Sequence, residues 1–200
     1  MSDGGRPNLT ELLVDVRACV VCDEHLPAGA RPVLQAGEGA GVVIIGQAPG
    51  RRVHESGIPW DDPSGVRLRQ WLGVDDATFY DPDRVALLPM GFCYPGTGAS
   101  GDLPPRPECA PLWHDRVLEH LRPDVFRVVI GTYAQARYLP DRSKTLTATV
   151  ARWQDHLPDV IPLPHPSPRN TSWFARNPWF DAEVVPALRA RVAELIGEPC

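Results

Sequence analysis

Residues 41–50 read Gly-Val-Val-Ile-Ile-Gly-Gln-Ala-Pro-Gly, a short apolar run that ends in an abrupt turn. A continuous β-branched run without polar alternation is typical of a strand buried on both faces of a parallel sheet. Similar runs predict strands at 85–89, 125–130 and 160–163, and helical periodicity predicts helices at 8–18, 63–73, 108–121, 133–139 and 179–196. This alternation indicates the α/β class, as a three-layer α/β/α sandwich with a central four-stranded parallel sheet. We expect residues 1–200 to form a single domain.

Composition and charge exclude several classes of protein. The chain is 43% hydrophobic and 22% charged, which is ordinary for a globular protein and argues against disorder. Its net charge of −5 excludes a polycation that coats nucleic acid, although a local basic patch is still possible. The sequence contains neither a signal-peptide pattern nor an apolar run long enough to cross a bilayer, so we expect a cytoplasmic, monomeric protein.

Three unusual loops follow predicted strands, at 47–65, 90–107 and 165–170. The carboxyl ends of parallel strands meet at one edge of a sheet, where ligands bind in α/β proteins. The first loop carries Trp60 beside Asp61 and Asp62, and the last holds His165 between prolines. An aromatic ring, a carboxylate and a preordered imidazole could bind a planar ligand and perform chemistry on it. The structural alternatives are a core Trp60, an aspartate that caps the next helix, and a buried His165.

Four cysteines form two pairs. Cys19 and Cys22 are separated by two residues, and Cys93 and Cys109 by fifteen. In a reducing compartment such cysteines indicate a metal centre or a redox pair more often than a disulfide. Four thiolates can hold zinc or an iron–sulfur cluster, and the spacing does not choose between them. Four unrelated buried cysteines are the alternative, and we interpret Cys200 as a free thiol.

Together these motifs resemble the uracil-DNA glycosylase superfamily over nearly the whole chain. The four-cysteine layout resembles the iron–sulfur, thermostable type, in which four cysteines bind a structural [4Fe–4S] cluster. Gly46-Gln-Ala-Pro-Gly50 resembles the first motif of that type, which normally has Glu in place of Gln47. Asp62-Pro-Ser-Gly65 is similar to a stretch of a sister group in which the aspartate is the catalytic carboxylate. Residues 165–170 resemble the second motif of the single-strand-selective monofunctional type.

The resemblance implies a monofunctional DNA glycosylase of base excision repair. Its substrate would be DNA containing uracil or another deaminated base, and its reaction the hydrolysis of the N-glycosidic bond. Where the iron–sulfur type has a base-reading Asn on its second strand, this chain has Pro89. The implied catalytic residues are Asp62, His165 and Gln47, and the implied substrate-binding residues are Trp60, Ala48, Ser167 and Asn170. The implied DNA-binding residues are Arg51, Arg52, Arg169 and Arg176. The implied ligands of a [4Fe–4S] cluster, with zinc as the less favoured metal, are Cys19, Cys22, Cys93 and Cys109.

Two other functions stay open at this point. Gln47 cannot act as a base, which suggests a non-catalytic binder of damaged DNA. A second form of this alternative is a self-trapping protein, because Arg51-Arg52-Val53-His54 superficially resembles an insert whose histidine bonds covalently to the sugar in some superfamily members. A redox iron–sulfur protein is the weaker alternative.

Overall fold

The computed structural model describes residues 7–99 and 101–197. Its strands are β1 (Val42–Ile45), β2 (Val85–Leu87), β3 (Thr97–Gly98), β4 (Gly101–Asp102), β5 (Phe126–Ile130) and β6 (Val160–Leu163). Four of them form a parallel sheet in the order β2-β1-β5-β6, whereas β3 and β4 form a small antiparallel hairpin. The four predicted strands are therefore confirmed as one parallel sheet.

Helices cover both faces of this sheet, which confirms the three-layer α/β fold. They are α1 (Leu9–Arg17), α2 (Arg51–Ser56), α3 (Pro63–Leu72), α4 (Asp76–Phe79), α5 (Cys109–Leu118), α6 (Gly131–Tyr138), α7 (Leu146–Ala151), α8 (Thr171–Arg176) and α9 (Val185–Ile196). Local signals fix several ends. Asn8 and Glu11 form a capping box at the start of α1, and Gly73 ends α3 in the left-handed conformation, with a φ of 71°.

Two cores lie on opposite faces of the sheet, because successive side chains of a strand point to opposite sides. Val42 and Ile44 face a core built with α3 and α9, which includes Trp71. Val43 and Ile45 face a core built with α1 and α5, among other elements. All four of these β1 side chains are fully buried. Burial on both faces explains why the sequence of β1 lacks polar alternation.

The structure differs from the sequence prediction in several places, and it includes three short helices that the sequence did not predict, α4, α7 and α8. The helix predicted at 179–196 begins with a π-helical segment, Phe180–Val184, before α9. Pro186 lies just after this segment and has no N–H to donate to an α-helical ladder, which accounts for the irregular turn. The predicted loops at 47–65 and 90–107 also contain regular structure, namely α2 and the β3–β4 hairpin.

Within residues 7–99 and 101–197, none of the helices combines the length and the apolar character that crossing a membrane would need.

Candidate active site

One cavity opens at the carboxyl ends of the strands, where the sequence predicted a site. About 430 Å³ of empty space lies within it, part of which is open to solvent. Loops after β1, β2 and β6 all contribute to its wall. The lining residues used below are Gln47, Ala48, Trp60, Asp62, Pro89 and His165. The structure therefore brings together all three predicted catalytic residues and two of the four predicted substrate-binding residues.

Trp60 forms one wall of this catalytic cavity. Its ring stacks on the imidazole of His165, with 5.7 Å between ring centroids and 28° between planes. It also packs against the backbone of Gly46, directly after β1, because a Cβ on Gly46 would lie 2.8 Å from Trp60 Cζ2. The backbone of Trp60 is left-handed, with a φ of 56°, which is unfavourable for a bulky side chain. The surrounding loop thus holds the ring in place against local strain.

His165 is prepared to act as a neutral hydrogen-bond donor. The Ser167 N–H donates to His165 Nδ1 at 3.2 Å, and Asn170 Nδ2 donates to the His165 carbonyl at 2.8 Å. Burial lowers the pKa of the imidazole, opposed by the carboxylates of Asp62 and Asp102. A neutral imidazole that accepts at Nδ1 carries its proton on Nε2. The ring therefore has Nε2–H free to donate.

Asp62 has a structural role in addition to its place in the cavity. Its Oδ1 accepts from the Gly65 N–H at 2.8 Å, which caps the start of α3. A carboxylate has two oxygens, so this bond leaves Oδ2 available to a ligand. Asp62 is thus both the helix cap of the structural alternative and a cavity carboxylate, and the cap fixes where the carboxylate lies.

Gln47 is held from the opposite side by the loop that follows β2. Its side-chain Nε2 donates to the carbonyl of Leu103 at 3.2 Å, and its backbone carbonyl accepts from the Gly91 N–H at 3.0 Å. Asp102, next to Leu103, is the carboxylate that acts on His165 from this loop. Sequence reasoning missed Asp102, because nothing in its local sequence marks it as a site residue.

Pro89 enters the cavity wall where the resemblance would place an Asn. Its carbonyl oxygen lies 2.9 Å from Nε2 of the fully buried His114. The Nδ1 of His114 lies 2.6 Å from the hydroxyl of Tyr138, and its ring stacks on Phe92. Burial lowers the pKa of His114 to about 4, so this ring is neutral near pH 7 and supports the end of β2.

This buried histidine predicts acid sensitivity. An unfolded His114 has an ordinary pKa of about 6.5 and takes up its proton at a higher pH than the folded protein. The free energy of unfolding should therefore fall by about 2 kcal/mol from this residue alone between pH 7 and pH 5. Denaturant unfolding of the wild type and of His114→Gln at both pH values measures this loss of unfolding free energy. Equal pH dependence in the two proteins would contradict the assignment.

The four arginines predicted to bind DNA are all exposed. Arg51 begins α2 and lines a cleft together with Tyr94, whereas Arg52 pairs with Asp61 at 3.4 Å. Arg169 lies against the β3–β4 hairpin, and Arg176 ends α8.

Ser167, Asn170 and His54 are placed away from the catalytic cavity lining. Ser167 and Asn170 bond to the loop around His165 and so orient that ring. His54 lines a neighbouring cleft together with Arg51 and Tyr94. The structure therefore does not bring His54 to the cavity that holds Asp62 and His165.

The four paired cysteines line one further cavity, on the α1 and α5 side of the chain. All four thiols are free of disulfides. Burial raises the pKa of Cys93 to about 11 and that of Cys109 to about 12. Among the described residues, no three or more His, Cys, Asp or Glu side chains have the arrangement that holds a single metal ion. Cys200 lies outside the described residues.

The family model described as the uracil DNA glycosylase superfamily matches residues 35–189 of the chain. The match covers the whole parallel sheet and the cavity residues described above. Cys93 and Cys109 lie inside the match, whereas Cys19 and Cys22 precede it. Members of this superfamily are DNA glycosylases.

Proposed function

We propose that this chain, which belongs to the uracil DNA glycosylase superfamily, is a monofunctional glycosylase that removes uracil or a related deaminated base from DNA. The observation that carries the proposal is the cavity in which Gln47, Asp62 and a neutral His165 meet. A hydrolase needs a donor to the leaving group and a group that orients water, and this cavity supplies candidates for both.

The reaction breaks the bond between sugar C1′ and the base nitrogen. The electron pair leaves with the base, while water supplies a hydroxyl to C1′ and a proton to the base. His165 Nε2–H would donate a hydrogen bond to the base oxygen on which negative charge develops. The free oxygen of Asp62 would orient the water and stabilise the oxocarbenium-like sugar. Gln47 could orient the same water through its amide oxygen.

Access to this bond requires the nucleotide to leave the duplex. Trp60 would stack on the extruded base with the part of its ring that His165 does not cover. Ala48 lines the same cavity, whereas Ser167 and Asn170 would act through the loop that they support. The exposed Arg51, Arg52, Arg169 and Arg176 would contact phosphates, which reconciles DNA binding with a net charge of −5.

We also propose a [4Fe–4S] cluster on Cys19, Cys22, Cys93 and Cys109. The four thiols fit such a group, because they line a single apolar cavity. Cys93 and Cys109 lie at the two ends of a segment that reaches the catalytic cavity through Leu103, whose carbonyl accepts from Gln47. A cluster would therefore fix the ends of the loop that holds Gln47.

Anaerobically purified protein should contain about four irons per chain, as this type of cluster requires. Replacing Cys109 with serine should remove most of the iron, because a ligand is lost. Metal analysis of both proteins measures the effect, with Cys200→Ser as the control that retains its iron. Stoichiometric zinc without iron in the wild type would contradict the cluster.

Incubation with uracil-containing DNA tests the activity itself. Hydrolysis predicts alkali-labile sites on a denaturing gel, without a shifted protein band. A covalently trapping protein would instead give a shifted band, and a non-catalytic binder or a redox protein neither product.

Two substitutions then decide which residue orients the water. Asp62→Asn preserves an oxygen that can cap α3, so the protein should fold and bind DNA but release base much more slowly. Gln47→Ala should have the smaller effect on single-turnover rates. A larger loss from Gln47→Ala than from Asp62→Asn would transfer the role to Gln47.

A further inference from the structure

The cysteine cavity contains two buried N–H groups that have no acceptor in the protein. The indole Nε1 of Trp113 and the guanidinium Nε of Arg106 are both inaccessible to solvent and lack a hydrogen-bond partner. Both residues line the cavity together with the four cysteines. Trp113 is only 7% exposed, so its N–H is not satisfied by bulk water. An unsatisfied buried donor costs about 1–3 kcal/mol, which suggests an acceptor missing from the protein itself.

Other N–H groups around this cavity already point to sulfur. The backbone N–H of Phe92 donates to Cys109 Sγ at 3.3 Å, and against the effect of burial the backbone N–H of Arg31 lowers the pKa of the Cys93 thiol. Burial raises the pKa of the Cys22 thiol, and the guanidinium of Arg106 lowers it. The two unpartnered donors therefore extend a set of N–H groups that surrounds the thiols. Sulfur atoms of a bound cluster are acceptors of the kind these donors lack.

Charge gives Arg106 a further role. Glu108 lies beside Cys22, with 3.8 Å between Cys22 Sγ and Glu108 Oε2. A carboxylate next to thiolates is unfavourable unless a cation compensates it. Arg106 pairs with Glu108 at 2.6 Å and, against the effect of burial, also lowers the pKa of Cys22, so its positive charge offsets the negative charge at this point of the cavity.

We propose that Trp113 and Arg106 donate side-chain N–H hydrogen bonds to the sulfur atoms of the cluster, retain it in the cavity and raise its reduction potential. This inference rests on the proposed cluster. The two residues are positioning residues, because they would act on the metal group through sulfur. Hydrogen bonds and positive charge favour the more negative, reduced state of a cluster, which sets the direction of the shift.

The experiment compares wild type, Trp113→Phe and Arg106→Gln, all purified anaerobically. Trp113→Phe retains a large apolar ring and removes the N–H, whereas Arg106→Gln removes the charge that compensates Glu108. The control is Leu112→Val, which changes a residue of the cavity wall that has no side-chain donor. Readouts are iron release to a chelator, reduction potential from a spectroscopic titration, and circular dichroism for the fold.

Iron release should be about tenfold faster in Trp113→Phe and Arg106→Gln, and both potentials should be lower than in the wild type. Leu112→Val should match the wild type in both measurements. If the wild type contains iron, and iron release and reduction potential are unchanged in the two variants, this proposal is overturned. The proposed cluster is not affected by that result. A wild type without iron would overturn the cluster, and this inference with it, while the glycosylase assay stays independent of both results.

Discussion

Replacing His165 with alanine is expected to slow base release about 10²–10³-fold, the usual cost of removing a preorganised donor to developing negative charge. The effect should appear in the single-turnover rate on uracil-containing DNA and less in DNA affinity, because the donor bonds most strongly when the base carries charge. His120→Ala provides a matched control, since His120 does not line the catalytic cavity. A loss of less than tenfold would show that His165 is not the main donor.

The pH profile of the same reaction tests the protonation state of His165. Burial lowers the pKa of this imidazole, so the neutral form with Nε2–H dominates near pH 7. Protonation in acid would add a proton at Nδ1, where the Ser167 N–H now donates, and would disturb the loop. Base release by the wild type should therefore stay constant from pH 8 to pH 7 and fall in more acidic buffer. A rate that increased as pH fell through 6.5 would contradict a neutral donor.

The sheet was predictable because its signals are local. Val42–Ile45 is buried on both faces, so its apolar run identifies the strand without knowledge of its partners. In contrast, α2 has only one buried side chain, Val53, and its N-cap Gly50 forms no side-chain cap bond. A helix with so little periodicity and no capping residue gives no sequence signal.

The candidate site was predictable in its residues and less so in their roles. Strand ends indicated where Gln47, Asp62 and His165 would meet, because parallel topology brings such ends together. The sequence left two roles open for Asp62, catalysis and capping of a helix. In the structure its side chain caps α3 and also lines the cavity. Asp102 was missed because it reaches His165 only through the path of a long loop, which depends on tertiary contacts.

Trp60 shows a further limit of sequence reasoning. Its backbone is left-handed, and its carbonyl group packs against Gly65 in α3. No pattern in residues 58–65 reveals this packing. A methyl group on Gly65 would overlap the Trp60 carbonyl oxygen and lie 2.9 Å from Trp60 Cβ. The absence of a side chain at Gly65 therefore allows both the strained Trp60 and the Asp62 cap to form.

Gly65→Ala is accordingly expected to damage both stability and activity. Overpacking of this kind costs about 1–3 kcal/mol, or several degrees in Tm for a chain of this length. Displacing Trp60 and Asp62 by even about 1 Å should also lower the rate of base release by about 10²-fold. Thermal unfolding and single-turnover kinetics measure the two effects, and the rate is compared below the Tm of the variant, so that unfolding does not account for the loss.

Gly50→Ala is the matched control for stability. A methyl group on Gly50 would meet Asp102 Oδ2 at 3.4 Å, an ordinary van der Waals distance, and the Gly50 φ of −79° suits alanine. Alanine is a poorer N-cap than glycine, so the Tm of Gly50→Ala should fall slightly, and much less than that of Gly65→Ala. If Gly65→Ala were as stable and as active as the wild type, Trp60 could move without cost. The fixed arrangement of Trp60, Asp62 and His165 would then not be what makes the cavity reactive.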